Sequence, residues 1–156
     1  MKKNILVAFD DSENAERAVE FVGNFFTPDC KVTLFSVISN SDALFLMSSH
    51  ELSPDFVSQK TSFLSIEEKK KEQIFNALEI AKNKLIKAGF EQHRIKIKAE
   101  CKNYGIARDI VNESQKGFDV IVMGRRGIKA VKEFFLGSVS QKVFSSSREI
   151  SILVVN

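Results

Sequence analysis

Three glycines and the hydroxyls beside them set the chemistry open to this sequence. The stretch from Val122 to Gln141 carries Gly124, Gly127 and Gly137, then Ser138 at once and Ser140 two residues later. Glycine lets the backbone take positive φ and lets a ligand approach the chain closely. A helix starting at Ser138 offers free amides and about half a positive charge at its N-terminus, the setting that holds a phosphate. Ser138 and Ser140 add hydroxyl donors, and Arg125 and Arg126 add charge, so the set suits a polyphosphate. The same residues also have a plain structural reading. Gly124 and Gly127 are then turn residues, and Ser138 opens a capping box with Gln141, worth about 1 kcal/mol of helix stability.

Better-known nucleotide signatures are absent from the sequence. No GxxxxGK[ST] occurs, and the first apolar run is followed by Asp10, Asp11 and Ser12 rather than GxGxxG. His50 and His93 stand alone, and Cys30 and Cys101 are far apart with no CxxC, so no metal site is spelled out and free thiols are expected. The glycine-rich stretch contains no histidine and no base placed to activate water, so a dedicated catalytic apparatus is not expected.

Apolar runs alternating with amphipathic stretches must position these residues. Ile5 to Phe9 is a nearly continuous apolar run, as in a strand covered on both faces. Asp10, Asp11 and Ser12 supply N-cap chemistry, and Ala15, Ala18, Val19, Val22, Phe25 and Phe26 mark one helix face that ends before Pro28. Val32 to Ile38 is a second strand. The serine-rich stretch 39–62 lacks periodicity and reads as a variable loop that is functional, partly helical or mobile. Ser65 to Glu68 matches a capping box, and Ile74, Ala77, Leu78, Ala81, Leu85 and Ala88 line a long helix closed by Gly89. From Arg94 to Cys101 lysines alternate with Ile95, Ile97 and Ala99, the pattern of a half-exposed edge strand guarded by charge. A third helix carries Ile106, Ala107, Ile110 and Val111. Val120 to Met123 is a fourth strand, a fourth helix turns Val139, Val143 and Phe144 inward, and Ile150 to Val155 is a fifth strand. This βαβαβαβαβ order specifies an α/β fold, a doubly wound five-stranded parallel sheet with helices on both faces. In such sheets ligands sit beyond the carboxyl ends of the strands, here at Asp10 and Gly124.

Composition narrows the function classes. Hydrophobic residues make up 44% and charged residues 28% of 156, ordinary for one globular domain covering 1–156. A net charge of +3 does not point to a nucleic-acid partner, and Lys69, Lys70 and Lys71, flanked by glutamates, read as a solvated helix face. No run approaches the roughly 18 apolar residues that span a bilayer, and the N-terminus is a poor signal peptide, so no membrane and a cytoplasmic address are expected.

The spacing G-x2-G-x9-G-[ST], filled by Gly124, Gly127, Gly137 and Ser138, resembles the ATP-binding motif of universal stress proteins. Ile5 to Asp10 with Ser12 resembles that family's opening strand. Val122 to Gly127, Gly137 to Val143 and Ile152 to Val155 resemble its fourth-strand exit, last helix and closing strand, in order and from end to end. The resemblance implies strand order 3-2-1-4-5, with a Rossmann-like sheet. It implies ATP as ligand, with Mg²⁺ carried through the phosphates. Ala8 and Asp10 would lie against the adenosine, and Val37 would meet the adenine through its backbone. Met123, Gly124, Arg125, Arg126 and Gly127 would line ribose and phosphates, and Gly137, Ser138, Val139 and Ser140 would hold the phosphates. Asp11 departs from the glycine common there, and its carboxylate would repel a triphosphate unless Mg²⁺ or an arginine intervenes. Cys101 to Gly105 departs from the usual Gly-x-Pro turn, and Glu149 to Ser151 from the usual Cys-Pro.

The function that follows is a nucleotide-dependent stress or signalling protein, not a dedicated enzyme, with a protein partner that the sequence does not identify. An adenylating enzyme of the related α-hydrolase fold would need SGGxDS after the first strand, where this chain has Phe9 to Asn14. A nucleotide-free scaffold is the third reading. The last strand, Ile150 to Val155, is apolar with no lysine or proline, so a homodimer through that edge is expected, as the resemblance also implies.

Overall fold

The computed structural model describes residues 3–39, 54–127 and 136–156, with side-chain surroundings from residue 68 onward in the middle stretch. Among these residues five strands, β1 (Asn4–Ala8), β2 (Lys31–Ile38), β3 (Ile95–Cys101), β4 (Val120–Gly124) and β5 (Ser151–Val155), alternate with four α-helices. These are α1 (Glu13–Phe25), α2 (Pro54–Lys87), α3 (Ile106–Ser114) and α4 (Ser138–Ser146). The strands form one parallel sheet in the order β3-β2-β1-β4-β5, as expected.

Successive side chains along a strand point to opposite faces, and every central strand here is apolar in both directions. Ile5, Val7, Val32, Leu34 and Val122 join Ala18, Val19 and Val22 of α1 and Leu78, Ala81 and Leu85 of α2 in one core. Leu6, Ala8, Phe35, Ile121 and Met123 join Ile110 and Val111 of α3 and Val143 of α4 in the other. Each of the two layers therefore has its own pair of covering helices.

Three sequence expectations are corrected. Phe25 is not part of the buried face of α1: it is 72% exposed and stacks on Phe21 with ring centroids 4.3 Å apart. It lies at the margin of the apolar stripe and in the last turn. Phe144 is 62% exposed, because five residues beyond Val139 is more than a third of a turn off that residue's face. The long helix starts at Pro54, so Ser65 to Glu68 lies inside α2 and opens no helix. This also makes part of the 39–62 stretch helical; residues 40–53 lie outside the described residues. Lys69, Lys70 and Lys71 are exposed, as expected of a solvated face.

The close of α2 follows local chemistry. Gly89 takes φ +99°, its amide bonds the Ile86 carbonyl, and the amide of buried Phe90 bonds the Leu85 carbonyl. This is a Schellman cap with its hydrophobic contact.

On β3, Lys98 does more than guard an edge. Its ammonium lies 2.7 Å from buried Glu113 of α3, 2.8 Å from Glu100 and 5.6 Å above the centre of the Phe35 ring. Lys116 also reaches Glu113 at 2.7 Å. Burial alone would raise the Glu113 carboxyl, but hydrogen bonds from Lys116 and Lys98 outweigh it and hold the group below the usual range.

Candidate functional site

In a parallel sheet all strands exit on one rim, and the chain must turn there before each helix. After β1 the turn is built by Asp10. Its carboxylate accepts from the Ser12 hydroxyl at 2.6 Å and the Ser12 amide at 3.3 Å. Ser12 in turn caps α1, accepting from the Ala15 amide at 3.2 Å. Asp10 therefore braces the N-cap residue instead of being it. Between them Asp11 takes φ +59°, the left-handed conformation that glycine adopts without strain and aspartate tolerates. Desolvation, then the charges of Glu16 and Asp10, raises the Asp11 carboxyl above its ordinary value.

The β4 exit meets this turn directly. A Cβ added to Gly127 would collide with the Asp10 carboxylate. Thus Asp10 and Gly127, far apart in sequence, are in direct contact where β1 and β4 exit the sheet. A Cβ on Gly137 would lie 3.2 Å from the Arg126 Cα, and the Gly137 amide donates to the Arg125 carbonyl at 2.9 Å. The second and third glycines thus bring three chain segments together with no side chain between them. The stretch 128–135 that joins them lies outside the described residues.

Gly124 has a different task. It is buried, and a Cβ there would come within 2.7 Å of the Asn14 backbone, so this glycine lets the first turn of α1 pack on the end of β4. Ser140 is buried as well, and its hydroxyl donates to the Gly124 carbonyl at 2.9 Å. That proton is therefore engaged within the protein, holding α4 on the β4 exit. Ser138 is exposed at the first position of α4, with Gly137 as the N-cap residue and no side-chain cap bond. The expected capping box is absent: the Gln141 amide bonds the Gly137 carbonyl in an ordinary helical turn. The exposed Ser138 hydroxyl stands at the open end of the helix.

The remaining predicted apolar site residues lie in or against the core on the α3 and α4 face of the sheet. Ala8 and Met123 are register partners, both buried in the core beneath α3 and α4. Val37, paired with Glu100, and Val139 pack against that same core and are half-buried. Arg125 donates its amide to the Val155 carbonyl at 2.7 Å, but its side-chain Nε is buried with no hydrogen-bond partner among the described residues. A buried donor left unpaired costs about 1–3 kcal/mol. Among the described residues no group of three or more His, Cys, Asp or Glu is placed to hold a metal ion. No described helix is long and apolar enough to cross a membrane.

The strand rim thus brings together Asp10, Gly127, Gly137 and an exposed Ser138 hydroxyl at the first position of α4. The sequence alone could not show the Asp10–Gly127 contact or the Ser140–Gly124 bond, because both join segments more than a dozen residues apart.

Comparison with known proteins agrees with this architecture. The chain is 39% identical over 74 residues to Universal stress protein YxiE of Bacillus subtilis (strain 168). That match spans 47% of this chain and 47% of the other, about half the length of this curated relative. The solved structure of the hypothetical protein MJ0577 is 30% identical, with TM-score 0.74 and coverage of 99% of this chain and 96% of that one. A universal stress protein solved in complex with cAMP shares the fold at TM-score 0.64 and 17% identity, covering 99% of this chain and 97% of that one. The model of the Usp (Universal stress protein) family matches residues 1–156, and the chain belongs to that family.

Proposed function

We propose that this chain binds ATP across the β1/β4 crevice, with Mg²⁺ held through the phosphates, and works as a nucleotide-dependent signalling protein instead of a dedicated enzyme. The observation that carries the reading is the cradle itself. Gly127 and Gly137 close on Asp10 and Arg126 without side chains, and among the described residues the buried Arg125 Nε has no hydrogen-bond partner. The free amides and exposed hydroxyl at Ser138 then take phosphate oxygens, and Arg125 gains the acceptor it lacks. Asp10 accepts from the ribose hydroxyls, and Val37 at the end of β2 offers its backbone to the base. A family member solved with cAMP supports an adenine nucleotide as the ligand class. Bound nucleotide supplies charge and shape that change which conformation is populated, and so which partner surface is presented.

The test is calorimetry and melting with Mg–ATP. At ligand near 100 times Kd, stabilisation is about 2.7 kcal/mol, a melting rise of about 5–10 °C for this size. No heat and no melting shift at millimolar Mg–ATP would sink the reading. Phosphate release at about 1 s⁻¹ or faster would instead point to an enzyme.

A further inference from the structure

The loop after β3 carries the only tyrosine of the chain. Tyr104 is 67% exposed, a large apolar ring held in water. Its backbone is held firmly. The Asp109 carboxylate accepts the amides of Asn103 at 2.8 Å and Tyr104 at 3.0 Å. The Asp109 amide bonds the Gly105 carbonyl at 2.8 Å, and Gly105 takes φ +128°, a conformation that fixes the turn. On the other side, the Lys102 amide bonds the Ile38 carbonyl at 2.7 Å and ties the loop to the end of β2.

This places an exposed aromatic on a pinned loop at the same rim as Asp10 and Gly127. Adjacent strands lie about 4.8 Å apart, so the β3 exit is about 10 Å from the β1 exit, with β2 between. A nucleotide whose phosphates sit at Gly127, Gly137 and Ser138 and whose ribose sits at Asp10 carries its base over the end of β2. The outer side of that base then faces the β3 loop.

We propose that Tyr104 is the base-stacking residue of this site, making the ligand a purine nucleotide in preference to any bare polyphosphate. The proposal rests on the nucleotide reading above and adds to it what recognises the base. A pinned loop loses little freedom when the ring stacks, and a purine offers the larger π-face. Tyr104 touches base, not phosphate, so its contribution separates cleanly from that of the glycine cradle.

The sequence has no tryptophan, so Tyr104 is the natural emission probe. The protein is titrated with Mg–ATP and, separately, with inorganic tripolyphosphate, following tyrosine emission and heat together; free tyrosine corrects for adenine absorbance. The expected result is saturable quenching by ATP, with the same Kd as calorimetry, and no quenching by tripolyphosphate. Tyr104→Ala should bind ATP about tenfold more weakly and tripolyphosphate unchanged, and Tyr104→Phe should restore ATP affinity. Circular dichroism checks that both variants fold. ATP heat without quenching, or Tyr104→Ala binding ATP as tightly as the parent, overturns the proposal and leaves the nucleotide reading intact. Equal weakening of both ligands also overturns it, since that is the mark of a structural role. No ATP heat in the parent removes the nucleotide reading and this proposal together.

Discussion

Asp11 is the residue where backbone and charge disagree most. It occupies a left-handed position and stands beside Asp10 and Glu16, which with desolvation raise its carboxyl. A folded-state value above the unfolded one means that the ionised carboxylate opposes folding, fully so once the pH exceeds the folded value. Asp11→Asn keeps a side chain that tolerates this conformation and removes the charge. It should raise the melting temperature at neutral pH by about 1–2 °C, the scale of a screened surface interaction. The gain should fade as pH falls through the raised folded-state value and be essentially gone below the ordinary aspartate value of 3.8. A melting series in pH on both proteins measures this, and an unchanged or lowered melting point at neutral pH contradicts it. At this scale the sequence was half legible. The three glycines and Ser138 stand out by spacing, and the departure at Asp11 was visible. That Gly124 serves packing on Asn14, and that the Ser140 proton is engaged by the Gly124 carbonyl, depend on how β4, α1 and α4 meet.

Among the elements, β3 and α3 are joined by more than apolar contact. Glu113 is buried and receives both Lys98 and Lys116. Its folded-state value lies below 4.5, so its stabilisation is fully present above that pH and is lost as pH falls through the folded value. Glu113→Gln should cost about 2 kcal/mol at neutral pH, seen as a melting temperature lower by about 5 °C. The gap between variant and parent should narrow in acid, as the parent protonates. An equal gap at neutral and strongly acidic pH contradicts this account. The order and type of the elements were legible because β1 and β4 read as continuous apolar runs and α1 and α3 as stripes. The start of α2 at Pro54 was not, since the serine-rich stretch before residue 65 shows no 3.6-residue pattern to announce a helix. Phe25 and Phe144 misled for the opposite reason: apolar residues near a stripe were assigned to it although their angular positions put them off the buried face.

For the whole molecule, the strand order leaves β5 on one edge with Ile152, Leu153 and Val154 half-buried. Leu153 packs towards the α1 and α2 core and Ile152 and Val154 towards the other, while one row of amides and carbonyls faces outward along the edge. An apolar edge without charge is open to pairing. The homodimer remains a proposal that this geometry supports. Light scattering at micromolar concentration should give about twice 17.6 kDa, and Val154→Lys should return the mass to that of one chain. A parent mass near 17.6 kDa rejects the dimer.

The central position of β1 also governs how the molecule is born. β1 pairs on one side with β2, which follows closely in the chain: Asn4 lies beside Lys31. On its other side Ile5 lies beside Val120, which emerges from a ribosome 115 residues later. At about 5–20 residues per second, that flank of β1 waits some 6–23 s for its partner. During that interval β3, β2 and β1 can assemble as a half-sheet with an open apolar border. The contact between Asp10 and Gly127 does not exist until β4 docks, so any site that needs both residues is completed only after Gly127 has been made.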